Sequence, residues 1–127
     1  NFLKFNGGLK SGEREIVIQG AKVPVPEIRE DVAPGEMALG VRPEHIRFDD
    51  SSAFRGSVFG AEYLGTTQIV TVITEHGQLK ARLAANVAVA NGETVGLAFR
   101  GERLSLFEKA SGRAIASALD ERGRAHG

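Results

Sequence analysis

Apolar and polar residues alternate with a period of two along most of this chain. In residues 78–83 and again in residues 94–100, every second residue is a core-forming apolar one. Successive side chains of a strand point to opposite faces, so this pattern predicts strands with one buried face. Leu104 and Leu106 continue the pattern after the turn-like segment Gly101-Glu102-Arg103. The segments on either side of that turn are therefore predicted to form a β-hairpin.

Seven earlier segments have the composition of short strands, and turn-forming residues separate many of them at short intervals. Many short strands at this spacing are typical of a small barrel or sandwich. The predicted strands are residues 2–5, 15–19, 22–25, 37–42, 46–48, 54–63 and 68–74, and the turn signals are Asn6-Gly7-Gly8, Pro34-Gly35, residues 49–52, residues 75–77 and Asn91-Gly92.

Glycine and proline refine this prediction. Sixteen of the 127 residues are glycine. Gly56, Gly60 and Gly65 lie inside strand-like runs, where a small barrel needs bulges or sharp bends to close its sheet. They favour a barrel over a flat sandwich. Pro24 and Pro26 cannot donate ladder hydrogen bonds, so residues 23–26 are predicted to form an edge strand or an extended connection.

Helix is predicted only as short pieces in two places. A single turn is expected at residues 27–32, ended by Pro34-Gly35. The Ala-rich stretch after Gly112 predicts a short helix over about residues 114–122 with a frayed end. The pattern therefore predicts a mainly all-β fold of short antiparallel strands, with a short helix at the C-terminus.

The charge balance and the absence of cysteine narrow the classes of function. Sixteen Lys and Arg balance sixteen Asp and Glu, so no excess of positive charge favours nucleic acid or an anionic membrane surface. Without cysteine there are no disulfides, thiolate nucleophiles or cysteine metal sites. No apolar run approaches the roughly 20 residues that span a bilayer, so a cytosolic location is expected. Asn1 in place of an initiator methionine suggests a fragment or a processed chain.

The common catalytic and metal-binding motifs are missing from the sequence. Residues 7–12 do not form a phosphate loop, because Leu9 stands where such a loop has the glycine that precedes its lysine. A Walker B run and the Leu-Ser-Gly-Gly-Gln signature are absent too. His45, His76 and His126 show no metal-ligand spacing. The chain is therefore predicted to be non-catalytic, with no catalytic residue, cofactor site or metal ligand.

Several motifs in order resemble the C-terminal regulatory domain of the ATP-binding subunit of an ABC importer of the sugar-transporter type. Gly-Val-Arg-Pro-Glu-His-Ile at residues 40–46 is similar to the signature that follows the nucleotide-binding domain in that family. The sequence departs from the family at Ser105, Glu108 and Ser111, where His, Asp and Thr are usual. The resemblance covers roughly residues 1–115. The remaining motifs are Asn1-Phe2-Leu3, residues 54–58 with Glu62-Tyr63-Leu64-Gly65, residues 92–97, and residues 104–108 with Ser111-Gly112.

The resemblance implies OB-like β-barrels, one of them discontinuous because it is assembled from segments before and after an inserted TOBE segment. The implied first part of this barrel is residues 1–53. The TOBE segment is residues 54–109, and residues 110–127 form a C-terminal return segment with a frayed tail.

The resemblance also implies a regulatory and dimerisation role in an importer of sugars or sugar phosphates. The implied partners are a second copy, the chain's own ATPase domain, membrane permease subunits, and a regulatory protein or small effector, with no nucleic acid. ATP and magnesium would be held by the ATPase domain, so no cofactor is expected here. The location would be cytoplasmic, peripheral to the inner membrane. The candidate interface or regulatory residues are Arg42, Pro43, Glu44, Glu62, Leu64 and Gly65.

Alternative interpretations stay open at this point. Molybdate-binding proteins use related barrels at subunit interfaces, so the chain is alternatively a small-oxyanion binding module. Those proteins usually carry a Ser-Ala-Arg-Asn-like element, which this sequence lacks. A plain interaction domain without a transporter is a third hypothesis. The sequence also does not separate a functional Arg42-Pro43-Glu44 from a strand exit set by proline, with charges that only solvate the turn.

Overall fold

Ten short strands and two 3-10 turns make up the part of the chain that the computed structural model describes, residues 1–18 and 20–119. The all-β prediction is confirmed. The strands are β1 (Phe2–Leu9), β2 (Glu15–Ile18), β3 (Ala21–Pro24), β4 (Val32–Gly40), β5 (Ile46–Phe48), β6 (Arg55–Leu64), β7 (Thr67–Thr74), β8 (Gly77–Ala84), β9 (Thr94–Phe99) and β10 (Ser105–Glu108), and the 3-10 turns are Pro43–His45 and Gly101–Arg103.

The largest sheet has five antiparallel strands in the order β5-β9-β6-β7-β8. The turns Gly65-Thr66 and Glu75-His76 join β6, β7 and β8 into a meander. Its edge strands β5 and β8 contact each other without being hydrogen-bonded neighbours. The sheet is thus curled but not closed. A bulge between Val58 and Gly60 in β6 breaks the register with β7, and bulges increase local twist.

A second sheet places β4 between β1 and β10, and a third consists of β2 and β3 alone. In the second sheet, Phe2 and Ser105 both pair with Gly40, from opposite sides. Residues 23–26, with Pro24 and Pro26, were predicted to form an edge strand or an extended connection. This is confirmed, because β3 pairs with β2 and with no other strand in the described residues.

Buried apolar side chains from all three sheets form one core, including Leu39 of β4, Val23 of β3 and Leu79 of β8. Hydrogen bonds also join Asn1, the residue before β1, to the outer edge of β8. The Asn1 side chain donates from Nδ2 to the carbonyl of Lys80 at 2.7 Å and accepts from the Lys80 amide at Oδ1, at 3.0 Å. The Asn1 carboxamide therefore satisfies the backbone of an edge residue as a neighbouring strand would.

The predicted hairpin of the last two strands is wrong. β9 pairs with β5 and β6, whereas β10 pairs with β4 in a different sheet. The 3-10 turn Gly101–Arg103 carries the chain from one sheet to the other. A Cβ atom on Gly101 would lie 2.6 Å from the carbonyl oxygen of Pro24, so the crossing depends on a residue without a side chain.

The helical turn predicted at residues 27–32 is also wrong. The amide of Ile28 donates to the carbonyl of Glu13 at 2.8 Å, and the amide of Arg29 donates to the carbonyl of Ala116 at 2.9 Å. Partners on both sides thus replace the bonds that a helix would make within itself. Val32 already begins β4.

Two predicted turns lie inside strands. Asn6-Gly7-Gly8 belongs to β1 and Pro34-Gly35 to β4, and Gly7 pairs with Gly35. The two segments face each other at a register shift after Gly7. A Cβ atom on Gly8 would lie 3.1 Å from Pro34 Cγ. Glycine and proline therefore shape an irregular ladder here instead of ending it.

Two further predictions need correction. Gly65 does not interrupt a strand; it stands in the β6–β7 turn with a φ of 80°. The residues from Ala114 to Ser117 are extended, because Ala114 bridges Phe107 and Ser117 bridges Ile28. The predicted C-terminal helix is therefore wrong over these residues, but Ala118 and Leu119 are helical, and its part from residue 120 onward lies outside the described residues.

Candidate functional site: an arginine cleft and a β-hairpin arm

The first group of candidate residues, Arg42, Pro43 and Glu44, lines an open cleft of about 800 Å³. We call it the arginine cleft. It lies where the end of β4 meets the start of β1 and the segment that leads into β10. It is lined by Asn1, Phe2, Gly40, Val41, Arg42, Pro43, Glu44, His45, Arg103, Ser105, Phe107 and Leu119.

The two 3-10 turns bring Arg42 and Arg103 to the same cleft. Arg42 precedes proline and has extended backbone, with φ −77° and ψ 147°, as residues before proline prefer. The amide of His45 donates to the Arg42 carbonyl at 2.9 Å, and the amide of Arg100 donates to the His45 carbonyl at the same distance. The first turn is therefore tied to the entry of the second, which ends at Arg103.

The charged side chains of the cleft are exposed and have no partner within residues 1–18 and 20–119. Arg42, Glu44 and Arg103 form neither a hydrogen bond nor an ion pair through their side chains with any other described residue. His45 is partly buried in the cleft wall, and its Nδ1 atom is buried without a hydrogen-bond partner among the described residues. Buried polar atoms normally have partners, so this nitrogen needs an explanation.

An aromatic pair lies beside these charges. The rings of Phe2 and Phe107 meet edge to face, with centroids 5.6 Å apart. They pack across Gly40, where a Cβ atom would lie 3.0 Å from Phe107 Cε2. The cleft therefore combines an apolar surface with two cationic groups.

The second group of candidate residues, Glu62, Leu64 and Gly65, lies at the far end of β6. We call residues 59–67 the β6–β7 arm. Beyond Val58, β6 has no strand neighbour on its β9 side within the described residues. Phe59, Tyr63 and Leu64 are 72%, 62% and 51% exposed.

The structure does not bring the six candidate residues into one site. None of Glu62, Leu64 and Gly65 lines the arginine cleft. Conversely, sequence reasoning did not identify Arg103 and Ser105 as neighbours of Arg42. About 60 residues of chain separate them, and only the pairing of β10 with β4 brings them together. No local sequence signal reports that pairing.

The described residues also bear on metal binding and membrane crossing. No group of three or more His, Asp or Glu residues with metal-binding geometry occurs in residues 1–18 and 20–119. His76 instead contacts the Lys4 carbonyl through Nδ1 at 2.8 Å. Over the same residues, no helix has the length and apolar character needed to cross a bilayer.

Comparison with known proteins identifies the family and its relatives. Residues 39–107 match the family model described as TOBE domain. The chain is 30% identical over 129 residues to YurJ of Bacillus subtilis, an uncharacterized ABC transporter ATP-binding protein. It is 29% identical over 108 residues to UgpC of Chromobacterium violaceum, an sn-glycerol-3-phosphate import ATP-binding protein. These alignments cover 91% and 84% of this chain but 35% and 29% of the relatives. The chain thus spans about a third of the length of the curated relatives that it matches.

The fold is similar to that of a solved structure, the cytoplasmic molybdate-binding protein ModG with molybdate bound. The TM-score is 0.60 at 15% identity, over 84% of this chain and 94% of that chain. At this identity the likeness extends to the fold alone, and it confirms the prediction of an OB-like all-β architecture. Together with the family match, which covers more than half of the sequence, these findings show that the chain belongs to the TOBE domain family.

Proposed function

We propose that this chain is the regulatory and dimerisation domain of the ATP-binding subunit of an ABC importer. The observation that carries the proposal is the TOBE match over residues 39–107, together with alignments that place the chain against about a third of two ABC ATP-binding proteins. ATP and magnesium would be held by an ATPase domain outside this chain. The domain itself would be non-catalytic and would act through its surfaces.

The β6–β7 arm is the surface that best suits pairing with a second copy. Exposed apolar side chains often mark an interaction site where they cluster, and the arm carries three within six residues, Phe59, Tyr63 and Leu64. Its free edge has backbone groups that a neighbouring strand can satisfy. Glu62 is its one charged residue among residues 59–67.

Sedimentation of the chain tests the pairing. We expect a dimer at tens of micromolar, because a second copy would cover the apolar arm. Tyr63→Glu should give a monomer. Val17→Glu is the matched control, since Val17 is 59% exposed on β2 and lies outside the arm. A strictly monomeric wild type would mean that association is supplied by the ATPase domains, and equal effects of the two variants would remove the arm from the interface.

The transported substrate is proposed to be a sugar or sugar phosphate. The support is the name of one relative, which is described as an importer of sn-glycerol 3-phosphate. Uptake of labelled sn-glycerol 3-phosphate and labelled sugars in cells lacking the gene would test this. We expect uptake of one of them to fall, and unchanged uptake of all of them would contradict the substrate class.

The remaining partners follow from the same proposal. The chain would lie in the cytoplasm at the inner membrane, held there by its ATPase domain and the permease subunits. Arg42-Pro43-Glu44 would contribute to the contact with the ATPase domain or to regulation. Co-purification of the permease subunits with the full-length protein from membranes would support this arrangement, and a full-length protein found only in the soluble fraction would contradict it.

The alternative function, a small-oxyanion binding module, stays a prediction. The arginine cleft favours it, because two guanidinium groups with no partner among the described residues suit an anion. Thermal melting with molybdate or sulfate tests it directly. A rise in melting temperature with millimolar molybdate would favour the alternative, and no shift would count against it.

A further inference from the structure

The arginine cleft differs from the other clefts of the molecule in how its cations are partnered. In the cleft beside Pro24 and Gly101, Arg14 and Arg29 both pair with Glu27. In the cleft beside Phe5, Lys109 pairs with Glu36 at 3.5 Å, whereas Lys4 has no carboxylate partner among the described residues.

In the arginine cleft, neither Arg42 nor Arg103 has such a carboxylate partner among the described residues. Glu44 lines the cleft as well but lies beyond 4.0 Å of both guanidinium groups. Within the described part of the chain, two positive charges of the cleft are therefore available to a ligand.

The donors of the cleft suit a phosphate group. A guanidinium presents several N–H donors in a planar fork that matches phosphate oxygens. The hydroxyl of Ser105 also lines the cleft and makes no hydrogen bond to another described residue. His45 lines the cleft too, but its Nδ1 is buried, with no hydrogen-bond partner among the described residues, and is not counted with these donors. Two arginines and a hydroxyl, from two separate segments of the chain, thus line the same cleft.

The size and the apolar side of the cleft favour an organic ligand over a bare inorganic ion. Its volume of about 800 Å³ falls within the range of sites for small organic molecules. The exposed edge of Phe2, which packs on Phe107, offers a flat apolar surface beside the charges. A sugar-sized body could lie on such a surface while its phosphate reaches the arginines.

We propose that the arginine cleft binds a small phosphomonoester, with the phosphate held by Arg42 and Arg103 and the neutral body against Phe2 and Phe107. The proposal rests on the proposed regulatory function, because it gives the small effector of that function a chemical class and a site. The ligand would connect the end of β4 to the turn before β10. It would thereby stiffen the place where two distant parts of the chain meet.

Titration of the chain with glucose 6-phosphate, followed by calorimetry and by amide chemical shifts, tests the site. We expect saturable binding with a Kd of about 0.1–1 mM and shifts centred on residues of the cleft. Glucose and inorganic phosphate, titrated separately, distinguish the two parts of the ligand. Each should bind more weakly than the ester, by about tenfold or more.

Substitution of the two arginines tests whether they hold the phosphate. Arg42→Gln and Arg103→Gln should each weaken binding about tenfold. Arg47→Gln is the matched control, because Arg47 is exposed on β5 and does not line the cleft. Melting of each variant checks that it folds. No saturation up to about 10 mM, an equal loss in Arg47→Gln, or inorganic phosphate binding as tightly as the ester would overturn the proposal.

The outcome is separable from that of the pairing experiment. A chain that binds glucose 6-phosphate but sediments as a monomer keeps the phosphomonoester site and loses the proposed dimer. A dimer that gives no saturable binding keeps the proposed pairing and loses the site.

Discussion

The five-stranded sheet and the three-stranded sheet of this protein are built in different ways from the same kind of sequence. In the first, β6, β7 and β8 follow one another and are joined by the turns Gly65-Thr66 and Glu75-His76. In the second, β1, β4 and β10 come from residues 2–9, 32–40 and 105–108. Three strands of the five-stranded sheet, β6 to β8, pair with their neighbours in the sequence, whereas the paired strands of the three-stranded sheet lie far apart in it.

This difference has an energetic consequence. Bringing distant segments together costs more loop-closure entropy than folding a hairpin, although the cost grows slowly with length. Local pairings also form faster. The three-stranded sheet therefore depends on contacts outside its own ladder, such as the hydrogen bonds between the Asn1 side chain and Lys80. We expect it to be the less protected of the two sheets.

The largest expected effect on stability comes from Gly96→Ala, which introduces a clash into the five-stranded sheet. A Cβ atom on Gly96 would overlap the carbonyl oxygen of Asp49, and this is backbone that cannot move aside easily. We expect a loss of at least about 3 kcal/mol of unfolding free energy, measured by denaturant titration.

Gly60→Ala is the matched control for that variant. Gly60 also lies in the five-stranded sheet, in β6, but a Cβ atom there would meet nothing within 4 Å. Its effect should stay below about 1 kcal/mol. Similar stabilities for the two variants would mean that the approach of Asp49 to Gly96 is not a constraint of the fold.

The next prediction compares the stability of the two sheets directly. Leu39 in β4 and Leu79 in β8 are both fully buried, and each belongs to one of the sheets. Leu39→Ala and Leu79→Ala should each lose about 2–5 kcal/mol. Amide hydrogen exchange should show that Leu39→Ala opens β1, β4 and β10 before the meander of β6 to β8. If Leu39→Ala raised exchange equally in both sheets, they would form a single cooperative unit and the proposed difference between them would not hold.

The sequence predicted the local sheet well. Alternation of apolar residues found β7 and β8 to within one residue at each end, because pairing across a two-residue turn depends on the residues beside it. It also found β5 with its observed bounds. The all-β class follows from the same periodicity.

The sequence failed where the partner of a segment lies far along the chain. After Phe99 the pattern was that of a hairpin, but Leu106 pairs with Leu39. Residues 27–32 suggested a helical turn, but the amides of Ile28 and Arg29 donate to the carbonyls of Glu13 and Ala116. For the same reason, the sequence predicted only some of the residues that line the cleft. The motif around Arg42 can be recognised in the local sequence. Its neighbour Arg103 reaches the cleft only because the chain crosses from one sheet to the other at Gly101.

A smaller effect is expected from Gly65→Val, in the turn that makes the large sheet local. Gly65 has a φ of 80° and open space around it, so the strain of a valine there comes from the backbone rather than from a clash. We expect a loss of more than about 1 kcal/mol, seen as a lower melting midpoint. Gly60→Val is the control, because its backbone does not have positive φ. An unchanged melting midpoint would mean that the β6–β7 turn accommodates valine, and that the local pairing of β6 with β7 does not require glycine at this position.

The smallest effect concerns a contact that helps assemble the non-local part of the fold. Glu30 accepts hydrogen bonds from the Arg113 guanidinium at 2.9 Å and from the Ala116 amide at 2.7 Å. These bonds, that with Arg113 first, lower the pKa of Glu30 from its ordinary value of 4.5. Both side chains are partly exposed, so the contribution to stability is small.

The sign of the pH dependence follows from that shift. A carboxyl group whose pKa is lower in the folded state binds more protons when unfolded, so its stabilisation is present above pH 4.5 and is lost as the pH falls through the folded pKa. Glu30→Gln should therefore be less stable than the wild type at pH 7, with a difference that shrinks below pH 4.5 in denaturant titrations. Glu102→Gln is the control, because the Glu102 side chain has no partner in the described residues. A difference between Glu30→Gln and wild type that is the same at acidic and neutral pH would show that the contact does not depend on the charge of Glu30.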